Sequence, residues 1–350
     1  MSQRSVLVGT AVALAIVLAG LLLYLWWLSL PADMTEKGGK PSDGIAPQVA
    51  IYGPGEGDAP KLDGPMGVAW SPDGKRIYVA DTGNNRIVVF ERSGRFSMTF
   101  GSFGVAKPLP GYEMTWDPGE LNYPTDVATD EDGNVYVADF QNESISVFDS
   151  KGSFVRRFPD PLARVGRGTS GRGGTGIAVT ALTVQGDLVY ATDRYQIVVF
   201  DKRGRFIRQF GKPGVGPGDL DHPGGVAVDS QGRVYVSDSN HNRVEAFSSE
   251  GDLIWVTGRQ ISDLSSETAN PFVLPRGLTI QRDGSIVVAD PLGQELVVLD
   301  RSGARLQSLG VRGSVPGQLN FPTDVAVFDE DIAIADREND RVQVVRLVSP

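Results

Sequence analysis

The chain has 350 residues, 41% of them hydrophobic and none cysteine, so it is long enough to bury a sizeable core that no disulfide supports. Acidic residues number 43 against 33 basic ones, a formal net charge of −10. Arg4, Lys37 and Lys40 cancel Asp33, Glu36 and Asp43 in the first 46 residues, so the whole excess lies beyond them and argues against a nucleic-acid partner, which needs a basic face.

A short N-terminal tail, residues 1–5, carries Arg4. Val6 to Leu30 follows, 25 residues without a charge, long enough at about 1.5 Å per residue to cross a hydrocarbon core of roughly 30 Å. Tyr24, Trp26 and Trp27 sit where interfacial aromatics anchor a span. The run is longer than the apolar region of a cleaved signal peptide, and Trp27-Leu-Ser-Leu-Pro31 is a poor cleavage site. An uncleaved transmembrane signal anchor at 6–30 is therefore predicted, with the tail inside and the remainder extracytoplasmic at the cell membrane. Residues 31–47 are polar, rich in Gly, Pro and Lys, and read as a flexible linker.

From residue 48 to 350 the chain repeats itself six times. The first copy contains Pro65-Met-Gly-Val-Ala, Ser71-Pro-Asp-Gly, Ile77-Tyr-Val-Ala-Asp81 and Asn84-Asn-Arg-Ile-Val-Val-Phe90, and closes on Phe96-Ser-Met-Thr-Phe-Gly101. The aspartate ending its second apolar run recurs as Asp81, Asp139, Asp193, Asp238, Asp290 and Asp336, at spacings of 58, 54, 45, 52 and 46. Four short alternating runs per unit, joined by turns such as Asp132-Gly133, Lys151-Gly152 and Asp283-Gly284, are the pattern of a four-stranded β-propeller blade. The expected fold is all-β, a six-bladed β-propeller. The sixth copy stops after three strands, and Gln48-Val-Ala-Ile-Tyr-Gly53 is a spare fourth strand ahead of the first. Residues 48–53 are expected to complete the last blade and close the ring.

Pro-x-Gly/Asp-Val-Ala, Tyr-Val-Ala-Asp and the runs Asp81-Thr-Gly-Asn-Asn-Arg86, Asp238-Ser-Asn-His-Asn-Arg243 and Asp336-Arg-Glu-Asn-Asp-Arg341 resemble NHL repeats. The resemblance covers residues 48–350 and implies a six-bladed NHL propeller, a fold that hosts binding, scaffolding and catalysis alike. A more distant resemblance is to the lyase propeller of peptidyl-amidating enzymes, which implies zinc-binding histidines directly after the blade-opening prolines. Those places hold Met66, Thr125, Gly224, Arg276 and Thr323, and the two histidines, His222 and His241, match neither position. Amidating-lyase activity is thus disfavoured, and no zinc site is expected.

Residues recurring in every blade read as architectural, and odd residues in one blade as functional. By that test the six strand-ending aspartates are structural, each accepting hydrogen bonds from the backbone of the following turn, and Arg86, Arg243 and Arg341 tie strands together. The channel mouth on the inter-blade-loop face is where propeller ligands are expected. There Asp126 and Asp324 are candidates for a cation or a basic ligand, Arg276 for an anion, with Thr125 and Thr323 beside them; backbone capping is the competing reading of the aspartates.

Three long loops complete the candidate set. The loop 102–123 interleaves Tyr112, Trp116 and Tyr123 with acidic and prolyl residues, suited to stacking on a peptide or sugar or to plugging the ring. The loop 159–179 sets Arg164, Arg167 and Arg172 among glycines, suited to an anionic group. Gly258 to Leu274 is polar and carries little signal. The function expected is a membrane-anchored binding or scaffold module recognising a protein, peptide or glycan on the loop face, without a cofactor. The alternative is a divalent-cation-dependent hydrolase or lyase at the channel mouth, with Asp126 and Asp324 among the ligands of a calcium.

Overall fold

The computed structural model describes residues 44–53, 61–105, 107–108, 114–115, 117–159, 177–258 and 272–347. The predicted span at 6–30 and most of the linker lie outside these; among the described residues no helix is long and apolar enough to cross a membrane. Six antiparallel four-stranded sheets make six blades. Their first strands are Gly67–Trp70, Pro124–Thr129, Leu182–Gln185, Pro223–Val228, Leu278–Ile280 and Pro322–Phe328. Each touches the next and the sixth returns to the first, so these strands line a central channel.

Alternation along the strands explains the stacking. In the second strand of blade 1, Arg76–Asp81, Ile77 and Val79 join a core shared with blade 6, whereas Tyr78 and Ala80 join one shared with blade 2. One such cluster fills each of the six blade interfaces. A blade is apolar on both faces and is stable only between two neighbours.

The ring closes as expected, with a longer clasp. Ile45–Ile51 pairs antiparallel with Arg341–Leu347, Ile45 opposite Leu347 and Ile51 opposite Val342. The strand starts three residues before the predicted 48 because Ile45 is itself core, packed among Leu296, Leu309 and Ile332 at the interface of blades 5 and 6. Ile51 enters the neighbouring core between blades 6 and 1.

The repeated aspartates are structural, but their partners differ from expectation. Each reaches back to the segment that leads into its own blade. Asp81 Oδ1 accepts from Asp63 N at 2.8 Å, Asp139 from Asn122 N at 2.7 Å, Asp238 from Asp221 N at 2.8 Å and Asp336 from Asn320 N at 2.6 Å. The predicted bond from the backbone of the following turn is accepted by Asp193, from Arg194 N, and by Asp290, from Gly293 N, alongside upstream amides; Asp81, Asp139 and Asp336 accept instead from the turn side chains of Asn84, Asn142 and Asn339. The other carboxylate oxygen takes the arginine: Arg86 Nε at 2.7 Å, Arg243 Nε at 2.9 Å and Arg341 Nε at 2.7 Å. The guanidiniums then donate to carbonyls of the inter-blade loops, Arg243 to Gly216 and Asp219 and Arg341 to Ser314, Val315 and Gln318. They therefore pin loops as well as strands. Blade 2 has Ser144 in the arginine's place, and Arg157, on its fourth strand, supplies the cation to Asp139 at 3.2 Å.

Candidate functional site at the channel mouth

The channel is waisted. A vestibule of about 380 Å³ opens on the face where the first strands begin, and a second cavity of about 350 Å³ lies at their far ends. Between them is a neck of about 20 Å³, room for roughly one water.

Asp126 and Asp324 form the neck. Asp126 Oδ1 accepts from its own neighbour Val127 N at 2.7 Å, and Oδ2 from Leu182 N of blade 3 at 2.8 Å. Asp324 Oδ2 accepts from Val68 N of blade 1 at 2.8 Å. The two carboxyls also face each other across blade 1. Gly67 lies between them, and a Cβ there would run into the Asp126 backbone; a Cβ on Gly277 would strike the Asp324 carboxyl. Burial raises the proton affinity of both groups, and the Asp126 charge raises that of Asp324 further. The pair thus resists carrying two charges and prefers to share a proton.

This arrangement does not suit the calcium of the alternative reading. Both oxygens of Asp126 are spent on backbone amides, and the positions equivalent to Asp126 and Asp324 in the other four blades hold Gly67, Ala181, Gly225 and Gly277, without a side-chain donor. No group of three His, Cys, Asp or Glu positioned for a metal occurs among the described residues. His241 is buried in blade 4 against Asp238 Oδ2 at 2.6 Å, and His222 lies on the vestibule rim beside Asp221, so the histidines do not converge.

Thr125 and Thr323 are also architectural. Thr125 Oγ1 donates to Val179 O at 3.3 Å and Thr323 Oγ1 to Met66 O at 2.9 Å. Thr82 to Pro124 O, Thr180 to Pro223 O and Ser239 to Pro275 O repeat the link, so hydroxyls stitch successive blades around the mouth.

What remains for recognition is the vestibule wall. Tyr123, His222 and Phe321 occupy one repeated position, immediately before the prolines that open blades 2, 4 and 6. All three have left-handed backbones, with φ of 57°, 52° and 59°, a conformation costing of order 1–3 kcal/mol for a non-glycine residue. The preceding blade holds each one in place. Asn85 Oδ1 accepts Tyr123 N at 2.7 Å, Arg194 O accepts His222 N at 2.6 Å, and Gln294 Oε1 accepts Phe321 N at 2.9 Å. Phe140 stands 6.3 Å from the Tyr123 ring, and the Arg337 guanidinium lies over Phe321 at 5.6 Å. Arg276 completes the wall, its stem over Gly224.

Of the sequence candidates, the structure brings together Tyr123, Thr125, Asp126, Arg276, Thr323 and Asp324. Tyr112, Trp116, Arg164, Arg167 and Arg172 lie outside the described residues. Sequence reasoning missed Phe140, Phe321 and Arg337. The pre-proline position, which reads Gly64, Tyr123, His222, Leu274 and Phe321 around the ring, carried a usable signal for Phe321.

Comparison with known proteins agrees with the blade geometry. Residues 220–247 and 319–345 match the NHL repeat, and residues 56–169 match the SMP-30/Gluconolactonase/LRE-like region. The fold is a six-bladed propeller, with NHL repeats matched in blades 4 and 6. The protein brain tumor of Drosophila melanogaster is 29% identical over 162 residues, 44% of this chain but 13% of that protein. The B-box type zinc finger protein ncl-1 of Caenorhabditis elegans is 31% identical over 158 residues, 44% of this chain and 16% of that protein. The chain therefore spans only a small part of the length of these relatives. Among solved structures, a gluconolactonase from Xanthomonas campestris superposes with a TM-score of 0.57 at 16% identity, covering 91% of this chain and 97% of that one. At that identity the likeness is one of fold.

Proposed function

We propose that this NHL propeller is a membrane-anchored, extracytoplasmic binding module that recognises a protein, peptide or glycan through its inter-blade-loop face. The observation that carries the reading is the vestibule. It has the volume of a ligand pocket, and three aromatic side chains and two arginines are aimed into it, two of the aromatics from strained backbone positions. The apolar run at 6–30 supports the anchor. The divalent-cation hydrolase reading lacks a fitting donor set, because the two candidate carboxylates are bound to backbone amides and to each other.

Peptide and glycan arrays probed with the full chain in detergent test the proposal. Hits are expected to lose at least tenfold in affinity on Tyr123→Ala or Phe321→Ala. Hits indifferent to both substitutions would overturn it, as would calcium-dependent lactone hydrolysis abolished by Asp126→Asn.

A further inference from the structure

Arg276 is the one oddity of the wall that the fold does not need. Its Nε is buried with no hydrogen-bond partner, and no carboxylate among the described residues pairs with it. Burial lowers its proton affinity, the neighbouring Arg337 charge lowers it further, and Tyr123 partly offsets them. A half-buried guanidinium whose buried Nε lacks a partner, beside a second cation, is a costly arrangement. The blade repeat also shows that architecture does not require it. The equivalent positions hold Met66, Thr125, Thr180, Gly224 and Thr323, and three of those make the inter-blade hydroxyl bonds.

The second cation is accessible to an incoming group. Arg337 Nη1 lies 3.4 Å from Glu338 Oε1, but that carboxylate is half-exposed, and such a pair contributes little and is readily exchanged. Asp221, beside His222 at the rim, is engaged with that imidazole's Nδ1 at 2.5 Å, and Asp340 accepts from Gly64 N. The neck carboxyls beneath are held by backbone amides. The rings in the remaining wall are Tyr123, Phe140 and Phe321, set among Met66, Asn240 and the threonine hydroxyls already engaged between blades.

We infer that the vestibule holds an organic carboxylate on an aromatic or apolar body, its charge between Arg276 and Arg337 and its body against Tyr123, Phe140 and Phe321. A planar carboxylate matches the guanidinium fork and offsets the two neighbouring positive charges. This rests on the binding-module reading and names the chemistry its ligand must carry.

Calorimetry on the full chain in nanodiscs, with N-acetyl-phenylalanine as probe, tests the inference. Binding is expected, weakened tenfold or more for the neutral N-acetyl-phenylalaninamide. Arg276→Met is expected to erase the acid–amide difference while raising the melting temperature of the ligand-free protein, since a purely structural arginine would lower it. Arg276→Lys should retain part of the preference. Equal binding of acid and amide would overturn the inference, as would equal or tighter binding of glucuronate or inorganic phosphate. So would unchanged binding by Arg276→Met. If none of these probes binds while the arrays still report ligands sensitive to Tyr123 and Phe321, this inference falls and the binding-module reading stands.

Discussion

The folded neck favours the protonated form of the Asp126–Asp324 pair, because water is excluded and a second negative charge would sit against the first. A carboxyl whose folded-state proton affinity exceeds its unfolded one contributes stability that is full below the unfolded value, near pH 4. That contribution is lost as pH rises through the folded value. Asp139 and Glu245, pushed up by burial to about 6 and about 7, follow the same sign. Asp324→Asn keeps an acceptor for Val68 N and offers Asp126 a permanent donor. The variant is expected to melt near the wild type at pH 5 and several degrees above it at pH 8. A difference between the two proteins that stays constant with pH would refute the shared-proton account. In sequence these aspartates stood out because only two of six blades carry them. Their partnership was invisible, because it depends on Gly67 and Gly277 leaving room for side chains from other blades. Arg276 was likewise legible as an odd cation, whereas its companion Arg337 was hidden inside the repeated Asp-x-x-Asn-x-Arg turn.

A single strand, Ile45–Ile51, belongs to two cores at once, Ile45 between blades 5 and 6 and Ile51 between blades 6 and 1. Its removal uncovers the Arg341–Leu347 edge and takes an apolar residue from each core, a loss of about 2–5 kcal/mol per large residue. Deleting residues 44–52 is expected to give concentration-dependent oligomers by size-exclusion chromatography with light scattering. A monodisperse monomer with unchanged melting would show that the clasp is dispensable. Strands and hairpins were legible because period-2 runs and Asp-Gly-type turns are local signals. The apolar runs of blade 4 in sequence, Gly225 to Asp229, Arg233 to Asp238, Arg243 to Phe247 and Asp252 to Val256, match the strands Pro223–Val228, Val234–Asp238, Arg243–Phe247 and Leu253–Gly258 within two residues. The upstream targets of the strand-ending aspartates were not, since they lie 15 to 18 residues back and meet only when the blade is assembled.

At the scale of the molecule, six repeats sufficed to name the architecture, while the recognition surface had to be read from side chains of four blades meeting at an axis. One further consequence follows from the direction of the clasp. Ile45 lies beside Leu347, at the end of the blade where Phe328 turns back to Asp331, and Ile51 lies at the vestibule end. The first described strand therefore begins, at Ile45, on the underside of the ring, the side away from the vestibule. If residues 6–30 lie in a bilayer, the propeller stands like a cup on a stem, its bowl open to the surroundings. Inverting the cup would need the linker to climb the height of a blade, about 23 Å for a seven-residue strand, out of roughly 44 Å available to residues 31–43 fully extended. Removing Thr35 to Ser42 leaves about 17 Å, too little to invert. Vesicles bearing that variant are expected to capture N-acetyl-phenylalanine displayed on micrometre beads as well as the wild type does; loss of capture would mean the bowl must tip toward the lipid to work. With such an anchor, the polarity of one edge strand favours partners arriving from outside over those sharing the membrane.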